Sequence, residues 1–377
     1  MGIQAQIDGP AERTQTAIAS SGLSFAVEEA LQLPEIPDEI MRLVHQAAMP
    51  AAEALAARFG RCTRREECQR IVEMFSATGA EGVLHLRDLL RTGSPAVAAS
   101  TVGLLSRFGS SQLERLLQSR LQAWAAPQHD HVVRQLALGA APERGRLLMH
   151  IFSTLHSVAL PEAIDELSLC GDPSTSGLLL RLAAGEMPQS ADFFLRVKAV
   201  EGLGRMREPR AVPLLREIVS ARDMGRWLHS EEMRIVALQT LGKIDFEWAR
   251  NFQPQSGLRG RDLAMGPLDA AEATPWARHR RYDRVMLPGK FSVTAVTSQG
   301  EVPLETRLLS LGGGIANAEA RLEPGAQGQV RISGWKNMTA SVIFRDAPRK
   351  QIGFEIVKIS MEDRARLRRM LSGFTSA

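Results

Sequence analysis

Apolar residues return every three or four positions through the first two-thirds of the chain, in segments of two to five turns. A short amphipathic stretch over 25–33 is cut off by Leu33-Pro34 and Ile36-Pro37. A longer one over 38–59 carries Met41, Leu43, Val44, Ala48, Ala52 and Leu55 at helical spacing. Thr63, with Glu66 three residues on, reads as the cap of a helix over 63–78 that buries Ile71, Met74 and Phe75. Gly79 reads as its end, and 81–91 as the next helix. Gly93-Ser94-Pro95 stops one helix and starts another, with proline in the first turn where its missing N–H is harmless. Similar punctuation recurs at Gly109, at Gly171-Asp172-Pro173 and at Glu208-Pro209. Residues 1–23 are polar, with no sustained period, and read as a disordered lead-in.

Within the helical series one pattern repeats. Val197-Lys-Ala-Val-Glu-Gly-Leu203-Gly-Arg-Met206 resembles Arg234-Ile-Val-Ala-Leu-Gln-Thr-Leu241-Gly-Lys-Ile244, and more loosely the stretches around Leu105 and Leu155. The gaps between these four leucines are 50, 48 and 38 residues. Small residues beside a central leucine let neighbouring helices approach, and helix pairs stacked at that period make an α-solenoid. The stretch 193–244 is similar to HEAT repeats, with weaker likeness over 63–121 and 132–169. The resemblance implies a curved helical array used for contacts with another protein.

The stretch 246–276 breaks the period with Pro254, Gly257, Gly260, Gly266, Pro267 and Pro275, and reads as a linker packed through Trp248. After it the period shortens to two. Phe291, Val293 and Ala295 alternate with polar residues over 290–297. Further strands are expected over 302–309, 329–333, 338–345 and 351–358, with turn residues between them. Such a series predicts a small six-stranded antiparallel β-barrel. A basic helix over 360–371, capped by Ser360 with Leu367, Met370 and Leu371 inward, closes the chain. The expected organisation is therefore a lead-in (1–23), an all-α HEAT-like solenoid (24–245), a linker (246–276) and a barrel domain (277–377).

Charge singles out the last of these. From Trp276 onward there are 17 Lys and Arg against 9 Asp and Glu, and 29 against 33 before it. A basic domain on a mildly acidic body points to an anionic partner. Three scattered cysteines, Cys62, Cys68 and Cys170, are too few for a disulfide framework and fit a reducing cytoplasm. The N-terminus shows no signal pattern, and no run approaches the ~20 apolar residues that span a bilayer.

The basic residues concentrate in Arg278-His-Arg280-Arg281-Tyr282-Asp283-Arg284, directly before the first strand. Guanidinium forks suit phosphate oxygens and the O6/N7 edge of guanine. Three features together resemble the PilZ domain: the RxxxR element Arg280–Arg284, the Leu308-Leu-Ser310-Leu-Gly-Gly313 stretch in place of the family's [DN]xSxxG, and the closing strand and helix over 352–367. The resemblance implies a regulatory ligand, cyclic di-GMP. Arg280 and Arg284 would then clamp phosphates and guanine Hoogsteen edges, with Arg281 and Arg278 as auxiliaries. Ser310 would donate to phosphate or base, and Gly313 would admit close backbone approach. The acidic or amide slot that reads the guanine Watson–Crick edge holds Leu308, which can accept nothing. That loss costs about 1–3 kcal/mol, or about ten- to a hundredfold in affinity. Thr306, two residues earlier, is a candidate substitute.

Other patterns carry less. His129-Asp130-His131 reads as a helix start capped by Asp130 rather than a metal site, and Cys62 and Cys68 lack zinc-ligand spacing. Gly312-Gly-Gly314 does not lead from a strand into a helix as a dinucleotide loop does. No catalytic constellation, resident cofactor or metal is expected. The leading reading is a non-enzymatic cyclic di-GMP effector acting through an unidentified protein partner of the helices. The alternative is an interaction scaffold whose barrel no longer takes the ligand, with non-specific nucleic-acid binding third.

Overall fold

The computed structural model describes residues 22–62, 65–108, 112–139, 141–269, 281–319, 321–333, 337–347 and 351–374. Most of the lead-in therefore lies outside the described residues. The chain divides into two compact units, Met1–Glu143 and Arg144–Ala377.

The first unit is helical: α1 (22–30), α2 (Asp38–Gln46), α3 (Ala48–Phe59), α4 (Arg65–Ser76), α5 (Gly79–Thr92), α6 (Pro95–Phe108), α7 (Leu113–Leu121) and α8 (Ala126–Ala137). Three details differ from the sequence reading. The segment expected as one helix over 38–59 breaks at Ala47, because Pro50 in the next turn removes an amide and crowds the carbonyl four residues before it. Gly79 opens α5 with φ +62° rather than ending α4. Helix α8 starts at Ala126 with proline in its first turn, so Asp130 lies inside it and not at its N-cap, which is Ala125. His129, also buried, hydrogen-bonds through Nε2 with the Trp124 carbonyl at 3.2 Å.

Helix α9 (Ala141–Ile151) crosses the division. The second unit continues with α10 (Leu160–Leu169), α11 (Pro173–Ala184), α12 (Phe193–Met206), α13 (Val212–Ser220), the short hairpin β1 (Arg222–Asp223) and β2 (Arg226–Trp227), α14 (Glu231–Ile244), α15 (Phe246–Phe252) and α16 (Gly260–Leu263). Asp172, Asp192 and Ser230 cap α11, α12 and α14 by accepting from backbone amides at 2.8, 2.8 and 3.2 Å. Helix α12 packs on α10, α11 and α14, and α13 packs on α14. Small residues set the spacing: a Cβ on Gly204 would stand 3.0 Å from the Thr240 hydroxyl of α14, and one on Gly202 would stand 3.1 Å from Ser168 of α10.

The stretch expected as a linker is partly helical, forming α15 and α16. Trp248 stacks on Phe252 of its own helix at 4.8 Å, beneath Arg216 of α13. From this stretch Met265 joins the barrel core, and buried Leu268 meets the segment before the first barrel strand through its backbone amide.

The barrel is closed and antiparallel, with strands β3 (Val285–Thr297), β4 (Gly300–Ser310), β5 (Gly313–Ala318), β6 (Gln327–Ile332), β7 (Met338–Asp346) and β8 (Ile352–Ile359) in the order β3-β4-β5-β8-β7-β6. Strand β5, for which the sequence reading named no segment, begins within the glycine run at Gly313. Val293, Ala295, Leu304, Val330, Val342 and Phe344 fill the interior. The side chain of Phe291 is outside the described set. Helix α17 (Met361–Phe374) starts on Ser360, whose hydroxyl accepts from the Asp363 amide at 3.1 Å, and presses Leu367 and Leu371 inward. The same core includes Phe194 of α12. No described helix is long and apolar enough to cross a membrane.

Candidate ligand-binding site and the buried charges behind it

The segment 281–284 leads into β3 with two residues turned inward and two outward. Its backbone is tied to 267–268: Leu268 donates to the Arg281 carbonyl at 3.0 Å, and Tyr282 forms a bridge with Pro267. Arg205 and Lys243 in turn donate to the Leu268 and Pro267 carbonyls.

Arg281 does not face solvent. Only 4% exposed, it pairs with Glu162 and Glu166 of α10, with Asp165 beside them. The three carboxylates share one face of the helix at i, i+3 and i+4. Arg144 reaches Glu166, while Lys198 and Arg205 of α12 hold Asp165. Tyr282 is buried with its hydroxyl donating to Glu201 of α12, and Lys198 lies 5.0 Å above its ring. Glu201 also receives Arg364 of α17 at 2.5 Å. Arg364 and Arg368 both donate to Glu232 of α14, at 2.7–2.8 Å. A continuous set of buried charged side chains, joined through the Tyr282 hydroxyl, thus runs from the 281–284 segment to the closing helix.

Burial pushes the Asp165 carboxyl up, but Lys198, Arg205 and Arg281 outweigh it and leave it below the ordinary 3.8. Burial also pushes Glu232 up, and Arg368 and Arg364 reverse that below its ordinary 4.5. Burial and then Glu201 raise the Tyr282 phenol, keeping it a donor. Depressed carboxylates supply stability that is full above their unfolded values and is lost as pH falls through the folded ones. The melting temperature of 144–377 is therefore expected to hold down to about pH 5 and fall progressively below about pH 4. A flat profile to pH 2.5 in thermal melts would contradict the ionic assignment.

Asp283 and Arg284 are exposed. Strand β3 then pairs Val285 with Leu309 and Met286 with Leu308, so Arg284 and Ser310 are the next residues along the two chains. Ser310 is buried. Its hydroxyl donates to the Gly313 carbonyl at 3.0 Å and accepts from the Gly312 amide at 3.3 Å, closing the β4–β5 turn. The three glycines each have a steric reason. A Cβ on Gly312 would sit 2.5 Å from the Tyr282 ring, and one on Gly314 would sit 2.6 Å from Phe354. Gly313 has φ +142°, and a Cβ there would overlap the Phe354 carbonyl of β8.

Leu308 pairs with Met286 on one side and Ile315 on the other. Cross-strand partners share a face; Met286 is 77% exposed and the other two are half-buried, so the strip lies on the barrel's outer surface. An irregularity between Thr306 and Leu308 sends Thr306 inside, wholly buried with an unpartnered hydroxyl. Thr306 therefore cannot stand in for the missing acidic residue. Arg278 and Arg280 lie outside the described residues, so the structure brings together Arg284, Ser310, Gly313 and Leu308, and sets Arg281 apart among carboxylates.

Comparison with known families bears on the same stretch. Residues 278–373 form a PilZ domain. No curated protein matches the chain. The PilZ match begins at Arg278 and ends in α17, so it includes Arg281, Tyr282, Arg364 and Arg368 but none of the carboxylates that receive them. Those carboxylates are what the sequence reading missed. A signal was present: Arg364 and Arg368 fall on the apolar stripe of α17 with Leu367 and Leu371, and a charge on an inward stripe demands a partner.

Proposed function

We propose that this protein is a non-enzymatic effector whose PilZ domain binds cyclic di-GMP and passes binding on to protein contacts of a HEAT-like helical array. The carrying observation is the placement of Arg284 within the PilZ domain. It is exposed, enters β3 directly, and precedes the strand register that runs beside Ser310 and Gly313. A charge-assisted fork on phosphate is about twice as strong as a neutral hydrogen bond, and the arginine stands directly before a barrel strand. Arg280 is the second clamp in this reading, Ser310 and Gly313 shape the turn beneath the ligand, and Arg278 is auxiliary. Arg281 serves as the anchor of the segment. The site is soluble and cytoplasmic in this account, as a second-messenger sensor requires.

Isothermal titration of the full chain with cyclic di-GMP tests the reading; absence of heat at about 100 µM ligand with folded protein defeats it. Arg280→Ala and Arg284→Ala are each expected to abolish the signal. Leu308→Asp, which restores an acceptor for the guanine edge, is expected to tighten binding about ten- to a hundredfold.

The Met286–Leu308–Ile315 strip favours a second reading, in which the barrel no longer takes the dinucleotide and contacts protein instead. Partners captured equally with and without cyclic di-GMP would support it.

A further inference from the structure

We infer that Glu166 and Glu162 of α10, with Glu201 of α12, are positioning residues for the ligand site, although they lie far upstream of the PilZ domain. The inference rests on the reading that Arg284 grips an anionic ligand. Two residues, Tyr282 and Asp283, separate the buried anchor Arg281 from the exposed clamp Arg284. Arg281 is held by Glu166 and by Glu162 at 3.2 Å, and Tyr282 is held by Glu201 while its ring rests on Gly312. The next two residues emerge at the surface, where β3 begins.

The path of 281–284 is therefore fixed by the helices as much as by the barrel. The barrel side supplies Gly312, which leaves room for the ring, and the more distant carboxylate charge of Glu355 on β8. The helical side supplies two carboxylates on the guanidinium and one on the phenol. With those removed, Arg284 would explore many positions, and ordering it on binding would cost affinity. Linkage makes the effect reciprocal: a ligand that orders 281–284 must tighten the helices that hold it.

The groups facing the anchor are Glu162, Asp165 and Glu166 from α10, Arg144 from α9, Lys198, Glu201 and Arg205 from α12, and more distantly Glu355 from β8, with Arg364 near Tyr282 from α17. Glu166 is the contact to perturb because it is wholly buried and pairs directly with Arg281. Glu166→Gln keeps the shape and one acceptor while removing the charge.

The test uses the full chain well below its melting temperature, with cyclic di-GMP as probe and amide hydrogen exchange as second readout. Glu166→Gln is expected to weaken binding about tenfold and to speed exchange over 281–287, while β7 amides keep their protection. In the unsubstituted protein, ligand should slow exchange in α10 and α12. Should Glu166→Gln fail to fold, Glu162→Gln, at the longer contact, takes its place with a smaller shift of the same sign. Unchanged affinity, whether or not exchange quickens, makes Glu166 a packing residue and overturns the inference. If the unsubstituted protein takes up no cyclic di-GMP, the functional reading fails, and the ordering of 281–284 by α10 stands or falls on the exchange rates alone.

Discussion

Residues 277–377 expressed alone are expected to melt without a cooperative transition, whereas 144–377 should unfold in a single step. The PilZ match lies wholly within the shorter piece, yet the compact unit that contains it does not. Cutting at 277 removes Phe194 and Met265 from the barrel core, each worth about 1.5–3 kcal/mol of burial. It strips α17 of the helices that enclose Arg364, Arg368 and Ser372, and leaves 281–284 without Glu162, Glu166 or Glu201. A domain near 100 residues has only about 5–15 kcal/mol in total. Circular dichroism melts of both pieces decide the matter; a sharp transition for 277–377 would show that the barrel stands alone. Ligand titrations on the isolated segment would otherwise report a collapsed site rather than a missing activity.

Glu232→Leu is the single substitution expected to do most damage. Glu232 is wholly buried and takes two guanidinium groups, so its removal leaves Arg364 with Glu201 and Arg368 with the carbonyls of Asp262 and Met265. Breaking a buried ion pair by deleting one partner costs about 3–5 kcal/mol, far more than a surface pair is worth. For a unit of this size that lowers the melting temperature by about 6–20 °C. Arg368→Met in the Glu232→Leu background should recover part of the loss, because a buried uncompensated charge disappears with it. A fall of under 3 °C for Glu232→Leu would mean that water, and not the carboxylate, solvates these arginines.

The barrel was legible because its determinants are local. Alternation, turn glycines and the Ser360 cap each act over a few residues, and the structure places strands and closing helix close to where those patterns put them. The arginine cluster was legible as a group but not residue by residue. Whether Arg281 faces solvent depends on Glu162 and Glu166, more than a hundred residues earlier, and nothing near Arg281 separates it from Arg284. Thr306 failed for a different reason: a strand irregularity reverses which side chains share a face, and the alternating pattern does not announce it. The expected division at 246–276 followed proline and glycine content, while the compact units follow contacts of α10, α12 and α14 with the segment after it.

The core residue Phe194 has a consequence for anyone moving this PilZ domain into another protein. Grafts are usually cut where a sequence family begins, which here would be just before Arg278. That crossover would carry a barrel with two of its own core side chains, Phe194 and Met265, left behind in the donor. The transferable cassette begins instead near Arg144 and brings its helices with it. A chimera joined there inherits a finished interior, and one joined at 277 must find a new phenylalanine.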